Sequence, residues 1–215
     1  IEQNVKHKDG TTFDIELLIN TISLSNEKKF IGVIKDITER KQWEKELKNL
    51  AMTDPLTKLA NRNQYNNKLS EAAATSLRYQ QPFALMLLDL DKFKPVNDRY
   101  GHQVGDLLLQ HVANTLLASC RETDTVARLG GDEFAIILPS SNHPLDTGPL
   151  SQRILKEISK PIVIEEHSIQ IGISIGISTF PDNTDDLEVL QTQADEALYQ
   201  AKENGRNTFR CFKKD

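Results

Sequence analysis

Acidic residues that follow one apolar segment are the first feature of the sequence that could do chemistry. Residues 85–88 are entirely apolar; Asp89 comes directly after them, and Asp91 follows two positions later. Mg²⁺ prefers oxygen ligands in a fixed geometry, so a carboxylate at the end of a buried strand is well placed to bind it. An acid that caps the next turn is the structural alternative. We favour that alternative for Asp91 and leave both interpretations open for Asp89.

A second acidic pair, Asp132 and Glu133, follows two glycines between two short apolar segments. Gly130 and Gly131 allow a tight turn and leave room for a ligand to approach the backbone. An exposed hairpin tip is the common alternative for such a turn. If the neighbouring strand brings Asp89 beside the turn, the acids meet the minimum for phosphoryl transfer with two metal ions about 3.5–4 Å apart.

The segment around this turn resembles the signature of the GGDEF family of diguanylate cyclases. It reads RLGGDEF over residues 128–134. Further segments similar to the family's motifs follow in the family's order: DPLTKLANR at 54–62, DLDKFKPVND at 89–98, GHQVGD at 101–106, ADEALY at 194–199 and AKENGRN at 201–207. The resemblance covers about residues 53–212, so it does not depend on one motif.

The resemblance implies a metal site and a catalytic base. Asp89 and Asp132 would bind Mg²⁺, or in its place Mn²⁺, through their side chains, and Leu90 would bind it through its carbonyl. Asp132 would also accept the proton of a ribose 3′-hydroxyl, and Glu133 is a lesser candidate for that role.

The resemblance also implies residues that bind GTP. The base ligands would be Asn97 and Asp106 with His102 nearby, and the triphosphate ligands would be Lys94, Lys202, Arg206 and the backbone N–H groups around Lys92 and Phe93. A His102 that only braces its turn is the favoured alternative for that residue, and a surface charge pair is the ordinary explanation for two basic residues four positions apart.

Asp106 gives a physical reason to expect GTP rather than ATP. Its carboxylate can accept hydrogen bonds from guanine N1–H and N2–H together, whereas adenine offers no such pair of donors. Binding adenine would leave the acid unpaired, at a cost of about 1–3 kcal/mol.

The activity implied by the resemblance is the condensation of two GTP molecules into cyclic di-GMP and two pyrophosphates. Each domain would bind one GTP, so catalysis would need an antiparallel homodimer.

Arg121 and Asp124 form an RxxD pattern, with five residues between Asp124 and Gly130. That is the spacing of the family's product-inhibition site, although an exposed salt bridge is the usual explanation for RxxD alone. A catalytically silent receptor for GTP or cyclic di-GMP is the main alternative function, and a scaffold domain is the third.

Composition excludes several other classes of function. Among 215 residues, 38% are hydrophobic and 27% charged, which is typical of globular proteins, and the net charge of −5 gives no general affinity for nucleic acid. Cys120 and Cys211 are too far apart in sequence to suggest a zinc site or a disulfide framework. No apolar run reaches about 18 residues, so we expect no membrane span within this chain. We therefore expect a cytoplasmic protein, without excluding membrane segments upstream of Ile1.

Hydrophobic periodicity predicts the elements that must position these residues. The predicted helices are 62–80, 103–119, 148–160 and 185–204, and the predicted strands are 83–89, 126–129, 134–138, 161–165, 171–179 and 207–212. The order strand, helix, hairpin, helix, strand predicts an α+β fold with a ferredoxin-like, partly antiparallel sheet flanked by helices.

The beginning of the chain has a different pattern. Residues 1–38 are strand-like and resemble the C-terminal part of a PAS sensor domain, residues 39–52 are predicted to form a linker helix, and residues 53–215 the GGDEF domain. Trp43, Leu47 and Leu50 form a narrow apolar stripe on that helix. We therefore expect the helix to carry dimer geometry from the sensor to the cyclase.

Overall fold

The computed structural model describes residues 1–24, 27–140 and 144–213 of the chain, and within them the side chains of all residues except 22–24, 27, 29, 44–50 and 144–146. The chain divides into two compact units, Ile1–Ala51 and Met52–Asp215. The resemblance of the first unit to a PAS domain stays a prediction. No helix within the described ranges is long and apolar enough to cross a membrane.

The first unit is a small antiparallel sheet followed by a helix. Its elements are β1 (Glu2–Lys6), β2 (Thr12–Leu24), β3 (Glu27–Asp36) and α1 (Thr38–Met52), with strand order β1-β2-β3. Asp9 stabilises the first turn, because its Oδ1 accepts hydrogen bonds from the backbone N–H and the hydroxyl of Thr11. The side chains of Leu47 and Leu50 lie outside the described residues, so the expected dimerisation stripe stays a prediction.

The second unit alternates helices and strands. Its elements are α2 (Arg62–Tyr79), β4 (Phe83–Asp91), α3 (Phe93–Tyr100), α4 (His102–Ser119), β5 (Thr125–Gly130), β6 (Glu133–Pro139), α5 (Pro144–Ile158), β7 (Ile162–Ile164), β8 (His167–Ile169), β9 (Gly172–Phe180), α6 (Leu187–Glu203) and β10 (Phe209–Cys211). The main sheet has the order β10-β9-β4-β6-β5. Strands β9 and β10 are parallel, and the other neighbouring pairs are antiparallel.

Both faces of this sheet are covered, which explains why residues 83–88 of β4 are all apolar before Asp89. Met86 on one face packs in a core with Leu108 of α4 and Ile154 of α5. Leu85 on the other face packs in a core with Leu69 of α2. Because side chains alternate along a strand, Asp89 lies on the same face as Leu85.

The predicted ferredoxin-like α+β fold is confirmed, and the differences are local. The sequence did not predict α3, which spans only eight residues and includes Pro95. Pro95 is compatible with the first turn of this helix, where backbone N–H groups have no partner within the helix. The predicted strand 161–165 is confirmed as β7, but the sequence did not predict its partner β8, which it joins through a turn where Glu165 takes a left-handed conformation with φ of 54°.

Candidate active site

The acidic residues meet at the edge where β4 ends and β6 begins. The strand register places Asp89 directly opposite Glu133, and the backbone N–H of Leu90 donates to the carbonyl of Asp132 at 3.3 Å. The structure therefore brings together the two acidic segments that the sequence singled out. Glu133 is the direct cross-strand neighbour of Asp89, which the sequence pattern alone did not reveal.

The Asp89 carboxylate lies in an environment that disfavours its negative charge. Burial raises the pKa of Asp89, and the charges of Asp132 and Asp91 raise it further. The ammonium of Lys202 opposes this effect, since its Nζ lies 2.9 Å from Asp89 Oδ2. A partly buried acid beside other acids is stabilised by a cation, whether an ammonium or a metal ion.

Asp91 has a structural role, as the favoured interpretation expected, although its partners differ from those of a simple turn cap. It is buried, and its carboxylate accepts a hydrogen bond from the Ser174 hydroxyl at 2.7 Å and another from the Asn207 N–H at 2.9 Å. These bonds fix the segment after α6 against the end of β4.

Arg128 holds the glycine turn in place. Its Nε and Nη2 donate to the carbonyl of Gly131 at 3.0 and 2.8 Å, and its Nη1 lies 3.0 Å from Asp54 Oδ1. The same oxygen of Asp54 accepts hydrogen bonds from the N–H and hydroxyl of Thr57. Burial alone would raise the pKa of Asp54, but the hydrogen bonds from Thr57 and the Arg128 charge lower it overall. The sequence contains both motifs but does not reveal that they are linked.

The turn itself needs glycine and is flanked by a second basic residue. Gly131 has φ of 52°, a conformation that other residues rarely adopt. Arg62, at the start of α2, donates from Nε to the carbonyl of Leu129 at 3.2 Å, and its Nη2 lies 3.9 Å from Glu133 Oε2. Both charged side chains of this pair are exposed.

Helices α3 and α4 form the region in which the base-binding residues were expected. Asn97 Oδ1 is buried and has no hydrogen-bond partner among the described residues. Gly105 makes this arrangement possible, because a Cβ there would lie 1.8 Å from Asn97 Oδ1. His102 begins α4, and the exposed Asp106 follows Gly105 on the same helix. The sequence did not predict the role of Gly105, which depends on the close approach of two helices.

The expected phosphate ligands occupy the start of α3 and the end of α6. Phe93 is buried and Lys94 is exposed in the first turn of α3, where backbone N–H groups have no partner within the helix. Lys202 lies in the last turn of α6, which ends in a Schellman motif with Gly205 at φ of 100° and the Arg206 N–H bonded to the carbonyl of Ala201.

Because α6 ends at Glu203, Lys202 and Arg206 do not share a helical face, although they are four positions apart in the sequence. Arg206 instead lines an open cavity of about 390 Å³ together with Lys92. The structure thus brings two basic residues from distant segments to the lining of one cavity.

The RxxD segment forms a closed turn between α4 and β5. The carboxylate of Asp124 accepts a hydrogen bond from the backbone N–H of Arg121 at 2.8 Å, and the side chain of Arg121 is exposed. Asp124 also lines a cavity of about 330 Å³ beside α2, to which Lys68 and Glu71 contribute.

The acids fit a metal ion that is bound together with a nucleotide. Among the described residues, no group of three or more His, Cys, Asp or Glu side chains could hold a metal ion by itself. Mg²⁺ in phosphoryl-transfer sites keeps several waters and uses one or two carboxylates plus substrate phosphates. Asp89 and Asp132 supply that number of carboxylates, so the residues present suit this binding mode.

Comparison with known proteins assigns the family. Residues 51–208 match the family described as diguanylate cyclase, GGDEF domain. The match covers more than half of the chain, which therefore belongs to the GGDEF family.

Individual relatives agree with this assignment. The bifunctional diguanylate cyclase/cyclic di-GMP phosphodiesterase MucR of Pseudomonas aeruginosa is 44% identical over 168 residues, which are 78% of this chain and 24% of MucR. Diguanylate cyclase DgcM of Escherichia coli is 35% identical over 207 residues, which are 95% of this chain and 49% of DgcM. The chain thus spans between a quarter and a half of these relatives.

A solved structure supports the fold. The coiled coil and GGDEF domain of DgcB from Caulobacter crescentus, in complex with c-di-GMP, is similar with a TM-score of 0.75 and 29% identity. The similarity covers 81% of this chain and 93% of that one.

Proposed function

We propose that this chain is a diguanylate cyclase, which condenses two GTP molecules into cyclic di-GMP and two pyrophosphates. The observation that carries the proposal is the meeting of Asp89 with the turn that bears Asp132 and Glu133. Membership of the GGDEF family supports it, as do relatives named diguanylate cyclases.

The chemistry is an in-line attack of a ribose 3′-hydroxyl on the α-phosphate of the other GTP. A bond forms between the 3′-oxygen and the α-phosphorus, the bond from that phosphorus to the β-phosphate oxygen breaks, and pyrophosphate leaves. The same attack by the other 3′-hydroxyl then closes the ring and releases the second pyrophosphate. Asp132 accepts the hydroxyl proton, and Glu133 is the second candidate for this role. Positioning and charge neutralisation supply most of the catalysis in such reactions.

Mg²⁺, with Mn²⁺ as a substitute, is the metal that these residues would hold together with the nucleotide. It would neutralise the phosphate charge that develops as pyrophosphate leaves. Asp89 and Asp132 would bind it by their carboxylates and Leu90 by its carbonyl. The raised pKa of Asp89 supports this role, because a divalent cation offsets the cost of an ionised, partly buried acid.

Guanine recognition involves α3 and α4. Asn97 Oδ1 is a buried acceptor with no hydrogen-bond partner in the described part of the chain, and a guanine N–H would satisfy it. Asp106 accepts from the Watson–Crick edge, and His102 braces the start of the helix beside it. The triphosphate binds to Lys94, Lys202, Arg206 and the backbone N–H groups at Phe93.

The second cyclase domain comes from a homodimer, because each domain carries one set of these residues. Cyclic di-GMP is both product and inhibitor, and it binds at Arg121 and Asp124. Residues 1–38 are the end of a PAS sensor domain, and residues 39–52 link it to the cyclase. GTP as the substrate favours action in the cytoplasm.

The test is incubation of the chain with Mg²⁺ and either GTP or ATP, followed by chromatography of the nucleotides, with Asp132→Ala in parallel. The proposal predicts cyclic di-GMP from GTP, no cyclic dinucleotide from ATP, and no product from the variant. Tight binding of cyclic di-GMP without any turnover of GTP would instead favour a silent receptor.

A further inference from the structure

Lys202 and Asp89 form an ion pair that the proposed reaction must break. Lys202 Nζ lies 2.9 Å from Asp89 Oδ2, and the exposed fractions of the two side chains are 32% and 17%. In the proposed function, Asp89 binds the metal and Lys202 binds the triphosphate. Close approach of two cations to one carboxylate oxygen is unfavourable, so the metal and the ammonium compete for Oδ2.

The surroundings of Asp89 explain why a cation is held there before any ligand arrives. Glu133 is directly opposite Asp89 on β6, the turn that bears Asp132 precedes it, and the Asp89 side chain is only 17% exposed. Lys202 compensates Asp89 directly, whereas Arg62 at the same edge pairs with Glu133.

We infer that Lys202 is the resident cation of the metal site, which neutralises Asp89 in the free protein and moves to the phosphates when the nucleotide binds. The inference rests on the proposed function and adds an order of events to it. A divalent cation alone must displace the ammonium from Asp89. A metal that arrives with GTP also brings the phosphates to which the ammonium can move.

The position of Lys202 suits such a movement. It lies in the last turn of α6, which ends at Glu203. A lysine is a point charge on a flexible stem and can exchange one anionic partner for another without any rearrangement of the backbone. The pair is also partly exposed, so the free energy needed to separate it is modest.

The test measures Mn²⁺ binding to the whole chain by electron paramagnetic resonance of the free ion, first without nucleotide. Lys202→Met should bind Mn²⁺ about fivefold more tightly than the wild type, as expected from the loss of a partly exposed ion pair. Lys202→Arg keeps the positive charge and should bind like the wild type. Lys160→Met removes a surface lysine that pairs with Glu157, and it controls for the change of net charge.

A second series with a non-hydrolysable GTP analogue separates the two proposals. The wild type should gain more Mn²⁺ affinity from the analogue than Lys202→Met does, because only the wild type must release the ammonium. Equal Mn²⁺ affinity of the wild type and Lys202→Met without nucleotide, with analogue-dependent Mn²⁺ binding intact in the wild type, would overturn the inference alone. No Mn²⁺ binding to any of these proteins with the analogue would overturn the proposed function together with it.

Discussion

Arg128 illustrates how one side chain can set the geometry of the acidic turn. It bonds the carbonyl of Gly131 twice and the carboxylate of Asp54 once, so it connects the turn to a segment more than seventy residues earlier. Both members of its ion pair with Asp54 are partly buried, with side chains 12% and 17% exposed. Removal of one member destabilises the fold, because the remaining charge loses its partner.

Asp54→Asn should therefore lower the free energy of unfolding by about 1 kcal/mol at neutral pH. The pKa of Asp54 is lowered in the folded protein, so its contribution is present above the ordinary value of 3.8 and disappears as the pH falls through the lowered value. Urea denaturation of both proteins at successive pH values checks this. A difference that persisted undiminished in acid would contradict the role of the ionised carboxylate.

Gly105→Ala should weaken GTP binding by about tenfold, because the added methyl group displaces Asn97 Oδ1 and one hydrogen bond to the base is lost. Thermal stability should change little, since alanine is the better helix former. Titration calorimetry with a GTP analogue measures the effect.

Asn97→Ala provides the comparison for that variant. The two changes act through the same oxygen, so the double variant should be no worse than Asn97→Ala alone. Additive losses would show that Gly105 acts through something other than Asn97.

The sequence indicated which residues could do chemistry better than it indicated which residues they contact. It singled out Asp89 and the turn with Asp132 from their positions after apolar segments. It could not predict that Glu133 faces Asp89, because that depends on the register of β6 against β4. A shift of one residue in that register would place the alternate side chains of the strand on this face. The ion pair of Asp89 with Lys202 joins residues more than a hundred positions apart, and nothing local in the sequence indicates it.

Among the elements, β4 determines where the acids lie. Its side chains alternate between a core under α4 and α5 and a core under α2 and α6. That alternation places Asp89 on the face to which α6 brings Lys202. Helix α6 must therefore pack closely on the sheet for the pair to form.

Gly176 of β9 permits this close packing. A Cβ there would lie 2.1 Å from the carbonyl oxygen of Ala194 and 2.2 Å from the backbone nitrogen of Leu198. Because backbone atoms cannot move aside as side chains can, Gly176→Ala should destabilise the protein by about 3 kcal/mol.

The measurement is thermal unfolding monitored by circular dichroism. Gly148→Ala is the matched control, since the nearest atom to its added methyl group is Phe209 Cζ at 4.0 Å. Its stability should stay close to that of the wild type. A Gly176→Ala protein as stable as this control would contradict the close packing of α6.

The long amphipathic helices and the apolar strands of the second unit could be predicted, because hydrophobic periodicity is strongest in such elements. Helix α3 could not, since it is short and polar and contains Pro95. It is held against α4 at Gly105, a contact that no local pattern encodes.

For the molecule as a whole, the turn between α4 and β5 is the place where we expect the product to inhibit catalysis. Arg121 is exposed on a turn that Asp124 closes, and Asp124 lines the cavity beside α2. An exposed guanidinium can bind a guanine or a phosphate of the product with two hydrogen bonds.

Arg121→Ala should keep its initial rate of GTP turnover and lose its inhibition by added cyclic di-GMP. Initial rates at increasing product concentration measure this. Arg153 donates a hydrogen bond to the carbonyl of Ser119 near the same turn. Arg153→Ala therefore tests whether the loss of any positive charge near the turn also removes the inhibition. Undiminished inhibition of Arg121→Ala would exclude the RxxD turn as the inhibitory site.

The central claim is the joining of two GTP molecules by two domains. The most direct measurement quantifies cyclic di-GMP and pyrophosphate in one reaction with GTP and Mg²⁺, over a range of protein concentrations. The account predicts two pyrophosphates for each cyclic di-GMP and a specific activity that rises with protein concentration as dimers form. Absence of cyclic di-GMP at every protein concentration, with the nucleotide still bound, would contradict it.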